Sequence, residues 1–123
     1  MKEIIYSDLH SVKELKLEKQ ELFLEIISKE TKLLLTYNMI MKYQSEANNK
    51  YNIGAIFMCY EDVSSDFIFQ HLPLFCKYYD IELIKLPKGT RFLLEKMFER
   101  KYIFLLAVLK TSANFEKIKN LFI

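Results

Sequence analysis

IGAIFMCYEDVSSDFIFQHLPLFCKYYDIELIKLPKGTRFLLEKMFERKYIFLLAVL, residues 53–109, decides the fold. It opens on an uncharged apolar run, residues 53–60, which suits a central strand covered by helices on both faces of a sheet. The polar turn EDVSS leads into a helix, residues 66–79, with Ser64 placed to cap it and Asp66 in its first turn, where the helix dipole favours an acid. Pro73 removes a backbone donor inside that helix, so a kink or local break is expected near residues 69–72. The alternating run IELIKL, residues 81–86, predicts a strand. Gly89 then permits a turn, and Thr90 is expected to cap a Lys- and Arg-rich helix reaching about Phe98. A second apolar strand, YIFLLAVL, closes a βαβαβ passage.

Working outward, Val12, Leu15, Leu22, Phe23, Ile26 and Ile27 have the spacing of one helix with a buried stripe starting at Val12. Lys13, Lys16, Glu18, Lys19, Glu21 and Glu25 take its other side. Residues 33–35 suffice only for a brief strand. Tyr37, Ile40, Met41, Gln44 and Ala47 predict a further helix, ended by the polar run SEANNK. Past the last strand, Ser112 is expected to cap a short helix that turns Phe115, Ile118, Leu121 and Phe122 inward. Alternating helices and apolar strands predict an α/β fold: a three-layer α/β/α sandwich with a small mixed sheet of about four strands. One domain spanning 1–123, with 1–11 as a flexible lead, is the simplest organisation.

A chain of 123 residues is long enough to close a core without staples. With 51% apolar and 28% charged residues it has a globular composition rather than a disordered one. The net charge of +2 selects no partner, so the distribution of charge matters more. Lys85, Lys88, Arg91, Lys96, Arg100 and Lys101 face only Glu95 and Glu99 along one loop and helix. Such a cluster is either a solvated helix face or an anion-binding one. The uncharged runs fall far short of the ~20 residues that span a bilayer, so no membrane partner is expected. The first residues mix acids and bases without an apolar core, so no secretory signal is expected. Cys59 in a strand and Cys76 in a helix read as reduced core thiols of an intracellular protein.

Catalytic chemistry finds little material. His71 and Cys76 form the one nearby Cys/His couple, and five residues apart on a helix they point about 140° away from each other. His10 lies in the lead segment. Two Cys and two His show no metal-ligand spacing, and no glycine-rich nucleotide loop occurs. No catalytic set, metal or cofactor is therefore expected. Glu61 and Asp62, adjacent at a strand end, are read as shaping the turn.

Two segments suit an anionic partner. In PKGT, Lys88, the Gly89 amide and the helix start at Thr90 converge on the place a phosphate would occupy. In TYNMIMK, residues 36–42, Asn38 near a helix start is suited to a base edge and Lys42, one turn on, to a phosphate. The blander reading of the second segment is a helix cap with a surface lysine. Tyr37 and Tyr43 are either stacking platforms or core aromatics.

In this order, YNMIMK, the block IGAIFMCYEDVSSDFIFQHLPLFCKYYDIELIKLPKGTRFLLEKM and YIFLLAVL resemble the kink-turn RNA-binding family of ribosomal and snoRNP proteins over residues 33–109. The ED-V turn followed by HLPLFC is the most specific part. IELIKLPKGT looks most like the Pop-type protein subunit of eukaryotic ribonuclease P and ribonuclease MRP; other branches carry a serine-containing turn and a Leu-Gly pair where this chain has Phe92, Leu93 and Leu94. The family's RNA-contact signature of glycine, any residue, asparagine, glutamate, two residues and lysine falls on residues 36–42. Asn38 and Lys42 are kept, while Thr36 replaces the glycine and Met39 the glutamate that would read a guanine edge.

The resemblance implies RNA contacts by Thr36, Tyr37, Asn38 and Lys42, and by Arg100 and Lys101 in the family's second RNA loop, here Glu99, Arg100, Lys101 and Tyr102; Lys88 and Arg91 of the basic loop and helix are expected to join them. That loop lacks the short apolar residues that cover an extruded nucleotide in the family. Also implied are a kink-turn-like structured RNA and other ribonucleoprotein subunits as partners, a nuclear and nucleolar location, and a non-catalytic role supporting tRNA 5′ maturation and rRNA processing. Alternatives in the same class are a large-subunit ribosomal protein and the H/ACA snoRNP member. A protein-interaction module that has lost RNA binding is the alternative outside it.

Overall fold

The structure, a computed structural model, describes residues 12–30, 32–46, 52–63 and 69–122. The expectations placed on residues 1–11 with His10, on Ala47, and on Ser64 and Asp66 lie outside the described residues. Among these, five strands form one mixed sheet in the order β1-β4-β3-β5-β2: β1 Lys13–Glu14, β2 Leu33–Leu34, β3 Ile53–Met58, β4 Glu82–Lys85 and β5 Leu105–Leu109. The helices are α1 Gln20–Ser28, α2 Tyr37–Ser45, α3 Leu72–Tyr79, α4 Thr90–Phe98 and α5 Phe115–Lys119. Phe23, Ile27, Leu94 and Ile118 of α1, α4 and α5 pack with Phe57, Ile84 and Leu106 on one sheet face. Ile40, Leu72 and Cys76 of α2 and α3 pack with Ile56, Leu83 and Leu105 on the other. The α/β/α sandwich is as expected, with five strands rather than about four.

The extra strand corrects the helix expected from Val12. Lys13 and Glu14 pair in parallel with Ile84 and Lys85, and the Leu15 amide donates to the Lys85 carbonyl at 2.8 Å. On a strand, residues three apart point to opposite faces. Leu15 accordingly enters the α1/α4/α5 core while Val12 packs on the α2/α3 side, whereas a helix would have placed both on one stripe. A 3-10 turn over Leu17–Lys19 follows, and the α-helix begins only at Gln20.

At Pro73 the chain shows the break rather than the kink: residues 70 and 71 form a turn, and α3 begins at Leu72. The proline stands in the first turn of α3, after the N-cap residue His71, where the missing N–H has no intrahelical partner to lose. The strand read over 53–60 ends at Met58, and Tyr60–Asp62 form a 3-10 turn. Gly54 lies at a register shift between β3 and β5. A Cβ there would come within 2.4 Å of the Phe115 ring, so the packing of α5 against β3 is fitted to glycine. Asn114, not Ser112, is the N-cap residue of α5, and Ser112 Oγ accepts from the Asn114 amide one step earlier.

Because β1, β3 and β4 are parallel and β5 and β2 each run antiparallel to their neighbour, four strands finish at the edge where β5 begins. The starts of α2 and α4, the 3-10 turn after β3 and the loop before β5 therefore gather there. Open α/β sheets characteristically bind ligands at this end.

Candidate nucleic-acid interface

The start of α2 is set by Thr36, which holds extended backbone and accepts the Met39 amide on Oγ1 at 3.1 Å. Thr36 thus supplies an N-cap, worth about 1 kcal/mol. The Ile40 amide bonds the Thr36 carbonyl. Those of Tyr37 and Asn38 precede the first intrahelical acceptor and point out of the helix end. Asn38 and Lys42 are exposed, and four residues apart they share one helix face.

Tyr37 is held from outside its own helix. Its hydroxyl lies 2.5 Å from His71 Nε2, and the two rings meet edge to face at 5.1 Å. Burial lowers the His71 pKa below its ordinary value, which keeps the imidazole neutral and able to accept the phenol proton. Tyr37 and Asn38 form one wall of a cleft of about 240 Å³; Tyr102 and Phe104, from the loop before β5, form the other.

That loop is tied down at several points. Glu95 Oε2 accepts both Arg91 Nε at 2.9 Å and the Ile103 amide at 3.1 Å. Burial works to raise the Glu95 pKa, but the Ile103 amide and the Arg91 guanidinium outweigh it and hold the carboxyl below its ordinary value. The Arg91 guanidinium lies 4.8 Å from the centre of the Phe104 ring. Tyr102 is 68% exposed at the cleft mouth with φ +64, a conformation that non-glycine residues seldom adopt. The neighbouring Arg100 and Lys101 point into solvent.

The PKGT segment is built differently. Gly89 takes φ +93 and is the N-cap residue of α4 in place of Thr90. Its amide donates to Asp62 Oδ1 at 2.8 Å and Oδ2 at 3.0 Å, and the Arg91 amide donates to Oδ2 at 3.2 Å. The donors that the sequence reading offers to a phosphate are therefore occupied by a carboxylate of the protein itself. Thr90 is buried, donating to the Pro87 carbonyl and accepting from Gln20 Nε2. Lys88 remains exposed at the rim of a second cleft of about 230 Å³ that it shares with Glu14, Lys16, Glu61 and Lys85. Lys85 is only 4% exposed; its Nζ stands 3.4 Å from Glu14 and 5.1 Å from the centre of the Tyr60 ring.

The site residues read from sequence thus share one end of the sheet but not one pocket. Lys88 follows β4 and Asn38 follows β2, three strands apart and so roughly 14 Å across the sheet. Phe104 and His71 join the site unread from sequence, and Tyr102, expected in the second RNA loop, lines the cleft. Asp62, read as shaping its turn, proves to cap a helix 27 residues away. An exposed aromatic next to Arg100 and Lys101 was the one legible signal among these.

Cys59 and Cys76 are buried, and burial pushes both thiols up to about 12, so neither is a thiolate at neutral pH. His71 serves Tyr37 rather than Cys76. Among the described residues no cluster of three metal-ligating side chains occurs, and no helix is long and apolar enough to cross a membrane. A family model described as RNase P subunit Pop3 matches residues 8–122. No curated protein matches the chain.

Proposed function

This chain belongs to the RNase P subunit Pop3 family, and from that membership we propose that it is a non-catalytic, RNA-binding subunit of a ribonuclease P or MRP ribonucleoprotein. It supports tRNA 5′ maturation and rRNA processing, in the nucleus and nucleolus, by stabilising the RNA component while that RNA carries out cleavage. The observation that carries the reading is the cleft between α2 and the loop before β5. One wall supplies outward amides and the Asn38 carboxamide, and the other supplies the aromatic faces of Tyr102 and Phe104.

A bent, kink-turn-like RNA element is the ligand this arrangement suits. Asn38 meets a base edge, Tyr37 and Tyr102 offer stacking surfaces, and Lys42, Arg100 and Lys101 neutralise phosphates around the cleft. Met39 offers no carboxylate acceptor where the family's glutamate stands, so discrimination at that base pair shifts from edge reading to shape. Arg91 contributes through Phe104 and Glu95, and Lys88, exposed on the far side of the sheet end, is placed to meet a strand that leaves the bent element.

Replacing Asn38 and Lys42 by Ala should weaken binding to a ribonuclease P kink-turn RNA roughly 10- to 100-fold. It should also flatten the slope of log K against log salt by about 1. Both side chains are exposed, so the melting temperature should stay near that of the parent. Equal affinity for parent and double variant would remove the reading. The second reading, a module that recognises protein alone, has Met39 in its favour: it is 37% exposed in the family's glutamate position. It requires RNA binding to be absent in the parent protein as well.

A further inference from the structure

The geometry points to a second RNA surface on the outward face of α4, where Phe92 stacks on a base of a single-stranded segment while Lys88 and Lys96 hold its flanking phosphates. Phe92 is 66% exposed, although the same helix buries Thr90 and Leu94 completely against the sheet. A phenylalanine has no polar atom to satisfy in water, so its ring face is open for stacking. Lys96 stands one turn further along, about 6 Å away on the same face. Lys88 is in the loop that enters the first turn.

Charge decides the partner. Arg91 and Glu95 neutralise each other on the adjacent flank. Lys88 and Lys96 enter no ion pair among the described residues, so their charges are available to an anion. The Asp62 carboxylate already occupies the amides at the helix start, which leaves side chains, rather than the helix terminus, to hold a phosphate. An aromatic ring flanked by free lysines matches a polyanion that carries flat, stackable groups. Leu93, 36% exposed, adjoins the ring, but the positions one turn before and after Phe92 are lysines, where a hydrophobic protein anchor would be rimmed by further apolar side chains. The track also connects with the cleft, because Arg91, next in sequence to Phe92, covers the Phe104 ring that lines it.

The inference rests on the RNA-binding reading above, and the two separate experimentally. The full-length protein is titrated with a ribonuclease P kink-turn RNA, with and without a single-stranded tail, by fluorescence anisotropy. Phe92→Ala should lower affinity for the tailed RNA roughly tenfold and leave the untailed RNA unaffected. Asn38→Ala should weaken both. Lys88→Ala with Lys96→Ala should flatten the salt dependence for the tailed RNA by about 1.4, at ~0.7 per phosphate contact on a single strand. If Phe92→Ala binds the tailed RNA as tightly as the parent while Asn38→Ala does not, the second surface is refuted and the cleft stands. If the parent binds neither RNA, both fall. Loss of a protein partner by Phe92→Ala at unchanged RNA affinity also overturns the proposal.

Discussion

The starts of α2 and α4 lie at the same end of the sheet and look alike in sequence, each with a Thr and a nearby lysine. Yet one is open and the other closed. At α2 the cap is local, Thr36 to Met39, and satisfies one amide while leaving those of Tyr37 and Asn38, residues that line a cleft, without an intrahelical acceptor. At α4 the cap is remote, and Asp62 takes both the Gly89 and the Arg91 amides. A side-chain hydroxyl caps a helix without filling its electrostatic site, whereas a carboxylate both bonds the donors and neutralises the dipole. Only the first kind of start has donors left for an external ligand.

Three substitutions break or sharpen this contrast. The largest effect is expected from Asp62→Ala, which strips the α4 cap of charge-assisted bonds and should lower stability by about 2 kcal/mol, read from urea unfolding. It should also open the second start: sulfate should raise the melting temperature of this variant more than that of the parent. An equal response to sulfate would mean that Asp62 does not block an anion site. Next, Thr36→Ala should cost about 1 kcal/mol in the same measurement and leave the sulfate response unchanged, since the open start gains one free amide and no charge.

The smallest effect is expected from Glu95→Gln, which loosens the link between the regions, about 0.5 kcal/mol for a partly exposed pair. Its signature is pH dependence. The Glu95 pKa is held below its ordinary 4.5, so its stabilisation is fully present above that value and is lost as pH falls through the lower folded-state pKa. The melting temperature of the Gln variant should therefore fall less than the parent's on acidification from pH 5 toward pH 2–3. Parallel curves would show that Glu95 does not anchor the loop as a carboxylate.

Much of the fold was legible because its signals are local. Both apolar strands, the alternating strand between them and the basic helix were legible in type and order from runs of a few residues, though the strands are shorter than their apolar runs, and Gly89 marked its own turn. The misreadings share a cause. Lys13 and Glu14 form a strand only because β4 offers an unpaired edge; taken alone, the same residues fit a helical stripe. The break near residues 69–72 was legible from Pro73, but not that Pro73 would lie in the first turn of a helix beginning at Leu72. At the candidate site, the place of Asn38 and Lys42 at a helix start was legible. The opposing aromatic wall was not, since Tyr102 and Phe104 approach Tyr37 only when β5 pairs beside β2.

By itself the sequence determined the class of fold, the apolar strands at its centre and the family, because strand and helix periodicities and family motifs are written in neighbouring residues. Tertiary structure alone decided which helix start stays open, which cations remain unpaired and which aromatics face each other. Those outcomes depend on contacts such as Asp62 with Gly89 and Tyr37 with His71, 27 and 34 residues apart. A carboxylate or an imidazole reaches its donor only after the sheet has brought the two loops to the same edge, and no local pattern records that meeting.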